Sequence, residues 1–323
     1  MNKKKQTLTV VKRILSTIAL PVLIYAVMCI LRPEQYLKAS TMLSLIKQSF
    51  IYMLVGWSMV FGMSCGLFDF SVGSRYLLAA MFAIQMSQKF GVAGFVLGMM
   101  LASLALAGLT GAIFAGLKIP SIITGFAALL IFEALSTIYQ NSFSVVVTDD
   151  IAVFGRSPGI FFTVVLCFIL VYVLFNHTKF GYQIKAIGGN EKIARSMGIK
   201  AVRLKVLTYI VGGVILGIAG LSKVGYEQVV RAATSMSSMS AAFTPMMAVM
   251  IGLYLNSCNP VVGTAVGAFS ISIVSSGLVA LGVNYRLQNV VIGLFLLCFI
   301  AYRMNIARLI ALFKNERKLT SAF

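Results

Sequence analysis

The sequence predicts an all-α protein, a polytopic transmembrane helical bundle of about ten spans with both termini in the cytoplasm. Of the 323 residues, 59% are hydrophobic and only 11% are charged, whereas a soluble domain carries about 25% charged residues. Apolar runs of about 20 residues recur along the chain, and each is long enough to cross the hydrocarbon as a helix. Helices are expected rather than open sheet, because backbone polar groups must be satisfied inside lipid. We therefore interpret 1–323 as a single transmembrane domain.

Ten apolar stretches mark the predicted spans, and the third of them is short. An even number of spans places both ends of the chain on one side of the membrane. The eighth and ninth spans are separated by a tight turn, NSCNP. In chain order the spans are 14–31, 50–66, 75–88, 92–117, 119–139, 159–176, 206–224, 242–257, 261–281 and 288–303. The predicted outer segments are 32–49, 140–158, 225–241 and 282–287.

Positive charge indicates the orientation of these spans. Seventeen of the 27 Lys and Arg residues lie in the N-terminal segment, the segment between the sixth and seventh spans, and the C-terminal segment. Cytoplasmic loops carry an excess of Lys and Arg, so these three segments are predicted to be cytoplasmic. The net charge of +19 then reflects orientation in the membrane, and we expect no nucleic-acid partner. The basic start MNKKK precedes a long apolar run without a small-residue cleavage site, which predicts a retained first helix.

Glycines spaced four apart recur within the spans. Such pairs let helix backbones approach closely in lipid and gain dispersion contacts, so they predict helix packing rather than a binding site. The pairs are Gly94 and Gly98, Gly213 and Gly217, and Gly263 and Gly267.

The stretch KAIGGNEKIARSMGIK, from Lys185 to Lys200, is polar in an otherwise apolar chain. Asn190 is suited to cap a helix, and Glu191 complements the positive end of that helix. Arg195 lies in its last turn, and Gly198 suits the left-handed position that follows a helix. The pattern predicts a helix of roughly two turns, Asn190 to Met197, within a cytoplasmic loop, 177–205.

Two further features of this predicted helix are the glycines that precede it and the apolar residues on one of its faces. Gly188 and Gly189 permit a sharp turn into it. Ile193 and Met197 are four residues apart and share one face, with Ala194 beside them. So short a helix is marginal alone, because nucleation is costly. Something apolar is expected to cover this face, either the membrane surface or a cytoplasmic partner.

The same stretch closely resembles the cytoplasmic coupling motif of permease subunits in bacterial ABC importers for monosaccharides, of the ribose, galactose and xylose type. GLFDFSVGS (66–74) is similar to a signature of that family, Gly-x-Asp-Leu-Ser-Val-Gly-Ser. LKIPSIITGFAALLIFEALSTIYQN (117–141) occupies the position of the family's fifth span, and 259–293 resembles its C-terminal segment. The resemblance covers roughly 40–303.

The resemblance implies a mechanism and a set of partners. Two permease subunits, either two copies or a paralogous pair, form a path across the bacterial inner membrane. Two ATP-binding subunits dock below them, and an extracytoplasmic solute-binding protein delivers the solute. By this resemblance the coupling residues are Gly188, Gly189, Asn190, Glu191, Ala194, Arg195 and Gly198.

The absence of a phosphate-binding motif indicates that the ATP site of such an importer lies on another chain. The chain contains no GxxxxGK[ST] loop and therefore no phosphate cradle of this kind. We expect no catalytic residue, no metal site and no cofactor on this chain. ATP and magnesium are expected on the partner ATPase.

Three residues are candidates for the translocation path. Asp69 either caps the next helix, with Ser71 assisting, or holds a break in the bundle near the path. Glu133 lies within the fifth span, where a carboxylate usually has a partner or a water-filled surface. It stands where the family commonly has Arg, so it either lines the path, forms a structural pair or lies near the outer boundary. Trp57 lies mid-span, where it either packs or stacks on a sugar.

Two departures from the family leave the solute open. The segment after the eighth span reads IGLYLNSCNP instead of a glycine-rich sequence, and SSMSAAFTP lacks the usual acidic residue. A nucleoside or autoinducer-type solute is therefore an alternative within the family. An ion-driven secondary transporter is a second alternative, although such proteins usually show more ionisable residues at the midplane. A membrane enzyme is a third, but no His/Asp/Glu or Cys/His cluster supports it.

Overall fold

The computed structural model describes residues 3–143, 146–255, 258–284, 287–302 and 305. Within these ranges the secondary structure is helical and no strand occurs, which confirms the predicted all-α class. The basic C-terminal segment from Arg303 onward, apart from residue 305, and part of the NSCNP turn lie outside the described residues. The helices are α1 Lys3–Leu31, α2 Pro33–Tyr36, α3 Ala39–Ser64, α4 Val72–Leu117, α5 Ser121–Ser142, α6 Asp149–Ala152, α7 Gly159–His177, α8 Lys179–Gly189, α9 Glu191–Ser196, α10 Ala201–Glu227, α11 Met239–Tyr254, α12 Pro260–Ala280 and α13 Leu287–Tyr302.

Six of the described helices, α3, α4, α5, α7, α10 and α12, are long and apolar enough to cross a membrane. Three shorter apolar stretches accompany them in this part of the chain: Thr17–Leu31, Met239–Tyr254 and Leu287–Tyr302. Each predicted span falls on a helix, and many apolar side chains face outward, as expected for a surface covered by lipid.

Helix α4 is a helical hairpin rather than one rod. Gly91 has φ 59° and ψ −148°, so the chain leaves the helical conformation there and reverses. The two arms, 72–90 and 92–117, pack against each other: a Cβ at Gly98 would lie 3.0 Å from the Cα of Ala83. The third and fourth predicted spans therefore correspond to two separate arms.

The prediction of an outer loop over 32–49 is wrong in its second half. Helix α3 already begins at Ala39, eleven residues before the predicted span. The hydropathy pattern marks where the apolar layer begins, whereas a helix continues into polar surroundings as long as its backbone bonds are made. The segment predicted as 225–241 is shorter for the same reason, because α10 extends to Glu227 and α11 begins at Met239.

Two hydrophobic clusters meet at α3. The larger lies between α3, α4, α7 and α10 and includes Trp57, Phe61 and Phe95, all buried. The smaller joins α3 to α1, α11, α12 and α13 and includes Leu45 and Ile251. Helix α3 is therefore the element against which both parts of the bundle pack.

Glycines permit the closest helix crossings, as the four-residue spacing predicted. Gly263 on α12 faces Gly252 on α11, and the two backbones touch. A Cβ on either residue would overlap the backbone of the other helix. Gly98 and Gly213 likewise face neighbouring helical segments at short range. Such crossings supply dispersion contacts where no hydrophobic effect drives helices together.

We predict that Gly252→Ala lowers the thermal midpoint of the protein in detergent. The added Cβ overpacks the crossing between α11 and α12, at a cost of about 1–3 kcal/mol. Gly108→Ala is the matched control, because a Cβ at Gly108 meets nothing within 4 Å. The control is expected to be neutral or to gain roughly 0.5–1 kcal/mol from the lower entropy of the unfolded chain. Equal midpoints for the two variants would contradict the described crossing.

Candidate functional site

The polar stretch folds into the capped helix that its sequence predicts. The side-chain oxygen of Asn190 accepts the backbone N–H of Ile193 at 3.1 Å and so caps α9, Glu191–Ser196. Arg195 lies in the last turn, and Gly198 has φ +84°, the left-handed conformation expected after the helix. The observed helix is one residue shorter at each end than the predicted one.

Glu191 joins α9 to the bundle. Its Oε2 accepts from Lys205 Nζ of α10 at 2.8 Å, and its Oε1 accepts from Arg195 Nη2 at 2.6 Å. These bonds, Lys205 first, lower the pKa of the Glu191 carboxyl and keep it ionised. The Lys205 contact ties α9 to α10, whereas the Arg195 contact lies within α9.

The two glycines before α9 have a different role from the one predicted. Both belong to α8, Lys179–Gly189, so the predicted sharp turn into α9 is not made by these glycines. The chain turns at Asn190, whose backbone is extended (φ −160°, ψ 106°). Gly188 instead packs on the end of α3, because a Cβ there would overlap the carbonyl oxygen of Ser64. Gly189 has open space where its Cβ would be.

The apolar side chains of α9 divide into a buried and an exposed set. Ala194 is 2% exposed and packs inside the protein. Ile193 and Met197 are 58% and 75% exposed, and we call these two residues the α9 apolar face. The described part of the chain therefore leaves this face uncovered, and the Asn190 cap and the Lys205–Glu191 bond hold α9 in place.

Asp69 and Arg75 form an ion pair within the bundle. The Asp69 Oδ1 accepts the backbone N–H of Ser71 at 2.9 Å and its hydroxyl at 2.6 Å. The Oδ2 accepts from Arg75 Nη2, and the two side chains are 13% and 4% exposed. Asp69 thus braces the beginning of α4, with Ser71 assisting. A buried pair of this kind holds the 65–71 segment in one conformation, because separating the charges there is costly.

A cavity of ≈ 30 Å³ adjoins this pair. Its polar lining includes Ser58, Thr208 and Tyr209. The Nε and Nη1 of Arg75 and the hydroxyl of Tyr209 have no hydrogen-bond partner within the described part of the chain. The cavity has room for an ordered water, which such groups require.

Glu133 binds the backbone at a helix end, and no cationic side chain pairs with it among the described residues. Its Oε1 accepts the backbone N–H of Ser238 at 2.8 Å, and its Oε2 accepts that of Met236 at 2.9 Å. These amides precede α11, where a negative charge is favoured by the helix dipole. The carboxylate is 4% exposed and lies near the middle of α5. The segment 228–238 therefore folds inward far enough to meet it.

Trp57 is buried in the larger cluster. Its Nε1 donates to the carbonyl oxygen of Val261 at 3.0 Å, and its ring lies 5.6 Å from that of Phe168. It joins α3 to α12 and α7 and does not line the cavity beside Arg75.

Charged residues that the sequence analysis did not single out also lie in these helices. Arg75 is one, and its position six residues after Asp69 is a signal that could have found it. Lys223 and Glu227 are two more, and their i,i+4 spacing on α10 predicts a pair. The structure confirms that pair, with Nζ and Oε1 at 2.6 Å.

Comparison with known proteins identifies the family. A family model described as branched-chain amino acid transport system / permease component matches residues 41–300. The chain belongs to this permease family. The match spans α3 through α13 and so includes α9, the Asp69–Arg75 pair and Glu133.

Similar curated proteins are named as sugar permeases. The permease is 28% identical to the ribose import permease protein RbsC of Bacillus subtilis (strain 168), covering 84% of this chain and 86% of that protein. It is 28% identical to the fructose import permease protein FruF of Bifidobacterium longum (strain NCC 2705), covering 76% and 72%. The L-arabinose transport system permease protein AraH of Escherichia coli (strain K12) is 32% identical, covering 40% and 45%. No solved structure matches the chain.

These comparisons confirm the resemblance drawn from the motifs. The protein is a multi-pass membrane permease subunit related to monosaccharide importers. The assignment of individual residues to coupling or to the path stays a prediction, because family membership does not test it.

We predict that Asp69→Asn strongly destabilises the permease. The substitution leaves Arg75 buried without its counter-charge, at a cost of about 3–5 kcal/mol. Adding Arg75→Met should restore part of the loss, and thermal unfolding in detergent measures both changes. Asp149→Asn is the matched control, because its pair with Arg156 is 93% and 57% exposed and such pairs contribute about 0–1 kcal/mol. An equal, small effect at both aspartates would contradict the buried pair.

We predict that Glu133→Gln loosens the segment before α11. The neutral amide holds the Met236 and Ser238 N–H groups less strongly, by about 1 kcal/mol or more. Hydrogen exchange of peptides covering 228–238 should become roughly tenfold faster. Glu34→Gln, at an exposed acid on α2, is the control and should leave these peptides unchanged. Unaltered exchange in Glu133→Gln would show that the carboxylate does not hold this segment.

Proposed function

We propose that this permease is the membrane-spanning subunit of an ATP-binding-cassette importer that moves a monosaccharide, or a similar small polar solute, into the cell. A separate ATPase subunit powers it. The observation that carries the proposal is the capped α9 with its uncovered apolar face, in a chain of the permease family.

The α9 apolar face is suited to dock the ATPase. Ile193 and Met197 are exposed together, and an apolar patch rimmed by polar residues is typical of a protein interface. Movement of α9 would reach the bundle directly, because Gly188 touches Ser64 and Glu191 binds Lys205. The sequence contains no GxxxxGK[ST] loop of its own, so ATP and magnesium are assigned to the partner.

The orientation follows from the chain order. Counting the two arms of α4, we propose ten spans with both termini in the cytoplasm. The end of α3, the start of α10 and the helices α8 and α9 then lie on the cytoplasmic side. This arrangement agrees with the Lys and Arg distribution of the sequence.

The choice of solute rests on the relatives. Proteins named as ribose, fructose and L-arabinose permeases are similar to this chain, which favours a monosaccharide. A nucleoside or autoinducer-type solute is the alternative within the family. An ion-driven mechanism is disfavoured, because Glu133 is committed to backbone amides and Asp69 to Arg75.

The remaining partners are those of an importer. An extracytoplasmic solute-binding protein delivers the solute, and a second permease subunit, either a copy or a paralogue, completes the path. The lipid bilayer covers the outward-facing apolar side chains of the bundle.

We predict that Ile193→Glu abolishes ATP-dependent sugar uptake while the protein still inserts into the membrane. A charge on the α9 apolar face would oppose docking of the ATPase. Uptake of labelled D-ribose, D-fructose, L-arabinose and D-galactose is measured in cells expressing the variant from its own chromosomal position. Ile193 is preferred to Ala194, because Ala194 is buried and its replacement would disturb packing.

The control for this experiment is Val229→Glu, since Val229 is exposed to a similar extent (57%) but follows α10 at the opposite end of the bundle. This control should retain uptake. Loss of uptake in both variants, or in neither, would argue against coupling through α9.

A further inference from the structure

A second, larger cavity lies at the opposite end of the bundle from α9. Its volume is ≈ 210 Å³, and it is lined by residues of α3, α10, α11, α12 and α13. Its lining comes from the last turns of α10 and the first turns of α11 and α13. Polar side chains in the lining include those of Tyr52, Lys223, Glu227, Thr244, Ser275 and Asn289. We call this space the outer pocket.

A charge pair fixes one wall of the outer pocket. Lys223 Nζ donates to Glu227 Oε1 at 2.6 Å and lies 4.7 Å from the centre of the Tyr76 ring. The Tyr76 hydroxyl donates to Glu227 Oε2 at 3.3 Å. The pair is thus held by three contacts, and the wall carries no net charge.

The opposite walls mix apolar and polar groups. Ile51, Val55 and Ile292 supply apolar surface to the cavity. Thr244 and Ser275 supply hydroxyl groups, and Asn289 supplies an amide, on three different helices. Ligand pockets typically combine apolar walls with a few convergent polar groups in this way.

We propose that the outer pocket binds one neutral, polyhydroxylated solute within a single permease subunit. Hydroxyl groups of the solute donate to the Glu227 carboxylate and accept from Lys223 and Asn289, and its C–H surface lies against the isoleucines. The inference rests on the proposed function for the kind of solute, but its evidence is the geometry of the pocket.

The solute is expected to be neutral, because Lys223 and Glu227 in the pocket wall already pair with each other. An anion or cation entering the pocket would meet a pair that is already satisfied, and its own desolvation would be uncompensated. A polyol loses less on desolvation, and the carboxylate offers it charge-assisted hydrogen bonds. The pocket volume of ≈ 210 Å³ suits a small solute. Pockets for drug-sized ligands are larger, from about 300 Å³ upward.

Protection from thiol labelling tests the pocket without any partner protein. Thr244→Cys places a thiol in the pocket of the full-length permease in nanodiscs, and a membrane-impermeant maleimide labels it. Mass spectrometry of the peptide containing position 244 separates this label from the native cysteines. D-ribose, L-arabinose, D-fructose and D-galactose are the probes. Ser142→Cys is the matched control, because Ser142 is exposed at the end of α5 and does not line the pocket.

At least one of the four sugars is expected to slow labelling of Thr244→Cys severalfold, and none should slow labelling of Ser142→Cys. Adding Glu227→Gln should raise the half-protecting sugar concentration about tenfold, because a charge-assisted bond is replaced by a weaker neutral one. The same change leaves Lys223 unpaired, so D-gluconate should protect this variant better than the parent. That gain of binding would not arise from a damaged fold.

Three results would overturn the proposal: Thr244→Cys that does not label without sugar, no protection by any of the four sugars, or protection that Glu227→Gln leaves unchanged. The labelling experiment tests the pocket alone, whereas sugar uptake by Ile193→Glu tests the proposed function, so the two can fail independently. Protection without an effect of Ile193→Glu would keep the pocket and reject the coupling. The reverse combination would keep the coupling and reject the pocket.

Discussion

The contact between Gly188 and the carbonyl oxygen of Ser64 is the constraint on which the cytoplasmic side of this permease depends. It leaves no space for a side chain, so α8 must lie directly against the end of α3. Helix α9 follows after one turn at Asn190, and Glu191 ties it to Lys205. Because α3 contributes to both hydrophobic clusters, α9 is connected through α8 to the element that both halves of the bundle share.

The segment after α3 continues this connection into the bundle. Residues 65–71 leave the end of α3 and are held by the Asp69–Arg75 pair. Gly73 then packs on the backbone of Ser238, and the N–H of Ser238 binds Glu133. Packed backbone and buried ion pairs adopt discrete arrangements rather than deforming gradually. One continuous series of contacts thus runs from α9 to the segment that precedes α11. The Asp69 and Glu133 carboxylates each form one of the contacts in this series.

Local patterns predicted the parts of this arrangement that depend on neighbouring residues. The Asn190 cap, the Gly198 exit and the helical spans follow from sequence over a few residues or one apolar run. The role of Gly188 depends on Ser64, and the partners of Glu133 are backbone amides more than a hundred residues away. A backbone donor carries no side-chain signature, so no pattern in the sequence indicates it. The start of α3 was missed because the edge of an apolar run is not the end of a helix.

Glu133 limits which segments can be combined in a chimera between this permease and its relatives. Its two oxygens fit two N–H groups at a helix N-terminus, where the resemblance leads one to expect Arg. A guanidinium has no acceptor and would repel that end of α11. Helix α5 and the segment 228–238 therefore form one structural unit. A chimera that takes only α5 from a relative with Arg at this position would bring like partial charges together inside lipid.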